Sequence, residues 1–187
     1  VEYAQQRVRL RLLERQEQLM RVARDLSNHE LSAVQLVARA EALISQYPEL
    51  QAITWIDERG RIRASNAAPT LPSGQLRMGG EVLRKGETAD GFEMARDLQQ
   101  PLYKQAPIHE GEVAPLLQLH IPLSSQGNFE GVLLGEFSTE NLLRYGIPTE
   151  VLARYAVTLL DAQNPVLAGT ALLPRPFRPR GLAPSAW

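Results

Sequence analysis

Trp55-Ile56-Asp57-Glu58-Arg59-Gly60-Arg61-Ile62 reads as the end of one strand, a tight turn and the start of its antiparallel partner. An Asp at the head of a turn folds its carboxylate back onto the amides that follow, and Gly60 supplies a positive φ if the turn needs one. The same order of residues returns as Leu159-Leu160-Asp161-Ala162-Gln163-Asn164-Pro165-Val166. Two hairpins of one kind, far apart in the chain, predict one complete sheet domain followed by the opening of a second. Both Asp57 and Asp161 are read as turn caps rather than ligands.

Upstream of the first hairpin, residues 1–46 are free of Gly and Pro and carry apolar side chains at helical spacing. Leu12, Leu19, Leu26, Ala33 and Ala40 recur every seven residues, with Val22, Leu36 and Leu43 at the neighbouring offset, broken by Arg15 and His29. This is a long amphipathic helix whose stripe packs on the domain's own sheet, pairs with a second copy in its N-terminal half, or does both. Ser27 and Glu30 have capping-box spacing, which marks a potential break near Asn28. Arg7, Arg9 and Arg11 have two readings, contact with lipid headgroups beyond a membrane span or an ordinary solvated face, and Glu2, Glu14 and Glu17 dilute the first. Tyr47-Pro48 ends the helix, because a residue preceding Pro is pushed out of helical geometry.

Downstream, residues 66–85 hold Pro69, Pro72, Gly74, Gly79 and Gly80 and predict a loop with at most short helices. Leu116–Leu123 alternates as a strand, Ser124–Asn128 forms a hairpin loop, and Phe129–Phe137 is the last strand of the sheet. The fold class is α/β in the α+β sense: a long N-terminal helix on a central antiparallel sheet, followed by the start of a second, similar unit. The expected divisions are 1–46 helical, 47–145 sheet core, 146–172 an incomplete second unit and 173–187 a tail, whose last fifteen residues bring four prolines and three arginines with no acid.

Composition narrows the function. With 20 basic against 21 acidic residues and a formal charge of −1, no field gathers nucleic acid. The absence of cysteine removes thiolate catalysis, thiolate metal sites and disulfides. His29, His109 and His120 have no metal-motif spacing, no nucleophile elbow is present, and Gly79-Gly80 lacks the spacing of a phosphate loop. The reading is therefore no enzyme, no cofactor and no metal in this segment. No run of residues is apolar enough to span a bilayer, yet the chain opens inside a helical pattern, so a membrane anchor is expected upstream.

The stretch from Pro48 through Asp57-Glu58-Arg59-Gly60 to Asn66, then Gln100-Pro101-Leu102-Tyr103, Ile121-Pro122-Leu123 and Gly127 to Phe137, resembles an extracytoplasmic PAS-like sensor domain of the Cache or PDC class. The resemblance runs over about residues 2–145 and rests on the order and spacing of short motifs. It implies the input part of a bacterial membrane receptor, of which histidine kinases are one kind, located on the periplasmic side of the inner membrane and dimerising through its N-terminal helix. It also implies a small-molecule pocket between the sheet and the insert from Asn66 to Ile108. The alternative is a pocketless dimerisation or protein-interaction module.

Candidate ligand residues follow from polar groups in apolar strands, since a buried polar group needs a partner and a ligand can be one. Gln118 and His120, two apart, share a strand face opposite Leu117, Leu119 and Ile121; that face looks at solvent or a dimer surface, or at the pocket. Tyr103 stands where the resembling family enters its pocket-side strand and has an ordinary core or surface role as its alternative. Arg96 has the fork for a carboxylate, with Glu93 and Asp97 as competing partners. Trp55 either packs on the helix or stacks on a ligand.

Overall fold

The computed structural model describes residues 2–71, 77–83, 88–106, 116–154, 158–160 and 166–169, the last two segments and residues 152–154 by backbone alone. The N-terminal helical region is two helices, α1 (Glu2–Ser27) and α2 (Ala33–Gln46). The break falls near Asn28 as expected, with His29 in the left-handed region at φ 58°. The capping box is supplied by Ser32 and Gln35 rather than by Ser27 and Glu30. Ser32 Oγ accepts from the Gln35 amide at 3.2 Å, and Gln35 Oε1 accepts from the Ser32 amide at 2.9 Å. Ser27 is still in the last turn of α1, so the cap belongs to the first residue after the reversal that can start a new helix.

Both helices lie on one face of a five-stranded antiparallel sheet, with β1 (Leu50–Asp57), β2 (Ile62–Ala67), β3 (Leu102–Gln105), β4 (Leu116–Ser125) and β5 (Asn128–Ser138) in the order β2-β1-β5-β4-β3. This is the PAS-like arrangement expected. α1 crosses β4 and β5, and α2 crosses β1 and β2. Leu19, Val22 and Leu26 of α1 and Leu36 and Ala40 of α2 seal against Ile53, Leu119, Ile121, Leu133 and Phe137. Each large aliphatic or aromatic side chain removed from water here contributes about 1.5–3 kcal/mol. Gly135 sets the approach: a Cβ there would fall 2.5 Å from Leu19 Cδ1, so the absence of a side chain on β5 lets α1 descend onto the sheet.

The turn that opened the sequence reading forms as read. Asp57 Oδ1 accepts from the amides of Arg59 and Arg61, each at 2.9 Å, and Gly60 takes φ 78°. Its counterpart at Asp161 lies outside the described residues, although the flanking strands β6 (Thr158–Leu160) and β7 (Val166–Gly169) pair antiparallel. Between β5 and β6 run α4 (Thr139–Gly146) and α5 (Thr149–Arg154).

On the other face of the sheet the insert contributes α3 (Ala89–Leu98), with Phe92 and Ala95 packed on Ile56, Ile62, Val132 and Leu134. The sheet is thus covered on both sides, by α1 and α2 on one and by the insert on the other. No helix among the described residues is long and apolar enough to cross a membrane.

Candidate functional site

β4 and β5 pair with Gln118 opposite Glu136 and His120 opposite Leu134. Because side chains alternate along a strand, Gln118, His120 and Glu136 point to the insert, while Leu117, Leu119 and Phe137 point to the helices. The open question of the Gln118–His120 face is thereby answered: it looks at α3, and both side chains are fully buried. Glu136, a lone acid in the apolar run Val132-Leu133-Leu134-Gly135-Glu136-Phe137, is buried beside them.

A buried carboxylate needs a cation, and the insert provides it. Arg77 grips Glu136 with both ends of its fork, Nη1 to Oε1 and Nη2 to Oε2, the latter at 3.3 Å. Arg77 Nη2 also donates to Thr88 Oγ1 at 3.0 Å. Thr88 occupies the N-cap position of α3 but makes no side-chain cap; its hydroxyl is turned to the site instead. Gln118 Nε2 donates to Thr88 Oγ1 at 3.3 Å and to Glu136 Oε2 at 3.1 Å.

These contacts set the polarity of everything downstream. A carboxylate only accepts, so the Gln118 amide must present its nitrogen to Glu136 and its oxygen to the other side. That oxygen lies 3.2 Å from His120 Nε2, which therefore carries the proton. Nδ1 is left as a bare acceptor, and among the described residues it is the buried side-chain polar atom without a partner. Burial, reinforced by the positive charges of Arg77 and Lys104, pushes the imidazole pKa down to about 4, so the ring is neutral around pH 7. α3 passes directly over it at Gly91, where a Cβ would come within 2.2 Å of Nε2. Only a glycine lets the helix rest on the imidazole.

The other sequence candidates lie elsewhere. Tyr103 pairs with Leu119, faces the helices, and donates its hydroxyl to Gln16 of α1 at 2.8 Å. It belongs to the α1 side of the sheet because β3 and β4 alternate in register. Trp55 also faces the helix side, against the hydrophobic core, with the Arg63 guanidinium 5.1 Å from its ring centroid. It borders a shallow cleft of about 420 Å³ that His29 and Glu130 share. Arg96, at the solvent-facing end of α3, is ion-paired to Asp97 at 3.0 Å. The arginine at the buried site is Arg77, which sequence reasoning passed over because a Pro- and Gly-rich stretch offers no periodicity to say which side chain turns inward. Glu136 was findable by the rule that singled out Gln118 and His120. His109 lies outside the described residues, and among those described no three His, Asp or Glu side chains gather as metal ligands.

No family model matches the chain, and no curated protein matches it by sequence. Solved structures do match in fold. The ligand-binding domain of the Campylobacter jejuni chemoreceptor Tlp3, in complex with L-valine, superposes with a TM-score of 0.62 at 13% identity, over 90% of this chain and 67% of that one. The ligand-binding domain of the Pseudomonas aeruginosa amino acid chemoreceptor PctC, in complex with GABA, gives 0.57 at 13% identity, over 83% and 65%. An extracellular ligand-binding receptor from Desulfohalobium retbaense gives 0.53 at 20% identity, over 80% of this chain and 26% of that one. The chain thus spans about two thirds of the length of the first two and shares their fold.

Proposed function

We propose that a chain with this fold is the ligand-sensing input domain of an extracytoplasmic bacterial receptor, and that its ligand seats between β4–β5 and α3. The observation that carries the reading is the buried polar row of Gln118, His120 and Glu136 ending in an unpaired Nδ1. A sheet face built only for stability would fill this position with apolar side chains, since an unsatisfied buried polar atom costs about 1–3 kcal/mol. A small molecule with a hydrogen-bond donor removes that cost. The solved neighbours named above hold L-valine and GABA, which supports a ligand of that size.

β5 supplies a route from site to helix. It presents Glu136 to the insert and, on either side of it, Gly135 and Phe137 to the α1 face. A ligand that prefers one position of α3 over another shifts β5 and, through it, α1; only that difference in affinity can drive a signal. The output is a change in a homodimer formed through α1, with a membrane-spanning segment adjoining the domain in the full receptor. Leu19 and Val22 of the apolar stripe are taken up by the domain's own core. Tyr3, Leu10 and Leu13, exposed on the N-terminal half of α1, remain for a partner helix.

A thermal-shift screen of small polar molecules followed by calorimetry tests the site. A true ligand stabilises the native state by an amount that rises with the logarithm of its concentration above Kd. Replacing Gln118 with Leu or His120 with Phe weakens its binding by about 1–3 kcal/mol if they hydrogen-bond it. A ligand whose affinity neither substitution alters places the seat elsewhere; an exhaustive screen without any saturable binder favours the pocketless interaction module.

A further inference from the structure

We propose that Arg77 is an internal stand-in for the ligand: its guanidinium fills a cation seat made by Glu136 and Thr88 and braced by Gln118, and the ligand enters by displacing it with a cationic group of its own. The inference rests on the sensor reading above and names the chemical class of the ligand, an organic guanidinium or ammonium.

Three observations converge. Glu136 is fixed in the central strand β5 with its side chain 2% exposed, whereas the Arg77 side chain is 17% exposed and comes from a segment outside helix and strand. Of the two partners, Arg77 is the one with a path to water. Second, the acceptors of the seat face the guanidinium: both Glu136 oxygens and Thr88 Oγ1 receive from Arg77, while the Gln118 amide donates to Glu136 Oε2 and Thr88 Oγ1 and holds them in place. Third, one further acceptor, His120 Nδ1, lies on the same sheet face beyond Gln118 and receives nothing. A ligand with a cationic head and a second donor fulfils every acceptor that Arg77 fulfils and one that Arg77 leaves bare.

Charge decides the class. Exchanging one cation for another keeps the buried carboxylate paired throughout, and the released arginine regains its hydration. An anionic ligand would need Glu136 and Arg77 pulled apart and would leave a buried carboxylate beside another negative group. A neutral ligand could not replace Arg77 without stranding Glu136. The exchange also gives the signal a moving part, the Arg77 segment, which its side chain ties to Glu136 of the sheet and to Thr88 at the start of α3 until the ligand takes its place.

The test uses methylguanidinium chloride as probe and sodium chloride at equal ionic strength as control. Arg77→Lys, which keeps a cation but loses the two-pronged grip, binds methylguanidinium about tenfold more tightly than the unmodified chain, with saturable thermal stabilisation. Arg77→Ala melts at lower temperature and recovers with methylguanidinium but not with sodium. Glu136→Gln loses the response in either background. If Arg77→Ala does not fold, the Arg77→Lys titration alone decides. Equal or weaker binding of the probe in Arg77→Lys overturns the proposal, as does a response that survives Glu136→Gln. A screened ligand that depends on Gln118 and His120 but carries no cation, and is lost in Arg77→Lys, sinks the stand-in role while leaving the sensor reading intact.

Discussion

At the scale of single residues, His120 carries a measurable signature of its surroundings. Its folded pKa is about 4, below the 6.5 of a free histidine, so the unfolded chain binds the proton more readily. Stability conferred by the neutral ring is full above pH 6.5 and is lost as pH falls toward 4, amounting to about 3 kcal/mol. Urea unfolding between pH 7 and 5 shows this slope before most carboxylates titrate, and His120→Gln flattens it. A His120 that titrates near 6.5 by NMR would mean that the ring is hydrated and the face open. Gln118 and His120 were legible as a pair because strand alternation is local. Their partners were not: Arg77 and Thr88 come from the insert, and nothing in the sequence around them encodes contact with β4 or β5.

Among the elements, α1 divides into two halves with different work. Its C-terminal half is core, with Leu19, Val22 and Leu26 sealed against the sheet; its N-terminal half leaves Tyr3, Leu10 and Leu13 exposed. Leu19→Asp therefore buries a charge against β5 and unfolds the domain. Leu10→Asp leaves the melting temperature within about a degree or two, since exposed substitutions fall within ±0.5 kcal/mol. On the proposed receptor dimer, Leu10→Asp nevertheless reduces crosslinking between cysteines placed along the N-terminal half of α1. Unchanged crosslinking would move the dimer contact off this face. The heptad run from Leu12 through Leu19 to Leu26 did not name Tyr3, Leu10 or Leu13, so periodicity alone did not separate core from exposed apolar surface; the extent of the sheet beneath the helix did.

For the molecule as a whole, α1, the entry to β1 and the end of α4 are tied at one point. Glu49, fully buried, accepts from Arg11 Nε at 3.0 Å and from Arg15 Nε at 2.5 Å, while Arg11 Nη1 donates to the Tyr145 carbonyl at 3.2 Å. The Arg15 guanidinium lies 3.8 Å from the Tyr47 ring centroid. Burial by itself would raise the Glu49 carboxyl, but the hydrogen bonds from Arg11, its own backbone amide and Arg15 outweigh it and hold the pKa below 4.5. Its contribution is therefore present above pH 4.5 and is lost as pH falls through the lowered value, a window more acidic than that of His120. Glu49→Ala removes the buried carboxylate that joins the two arginines, leaving Arg15 with Glu14 and the Tyr47 ring and Arg11 with the Tyr145 carbonyl, and costs about 3 kcal/mol in denaturant unfolding. A loss below about 1 kcal/mol would show that water replaces the carboxylate at the junction.

Local rules carried the reading a long way. Period-two and period-3.6 patterns, the Asp57 and Gly60 turn and the Tyr47-Pro48 stop all act between residues close in the chain, and they determined the strands, the hairpin and the helical region, α1 and α2, that covers them. Tertiary structure decided what depends on distant partners: the face on which Tyr103 and Trp55 sit, the choice of Arg77 over Arg96, and the burial of Gln118 and His120. A strand's alternation says which side chains share a side, but only the layer that packs on that side makes it core, solvent or site.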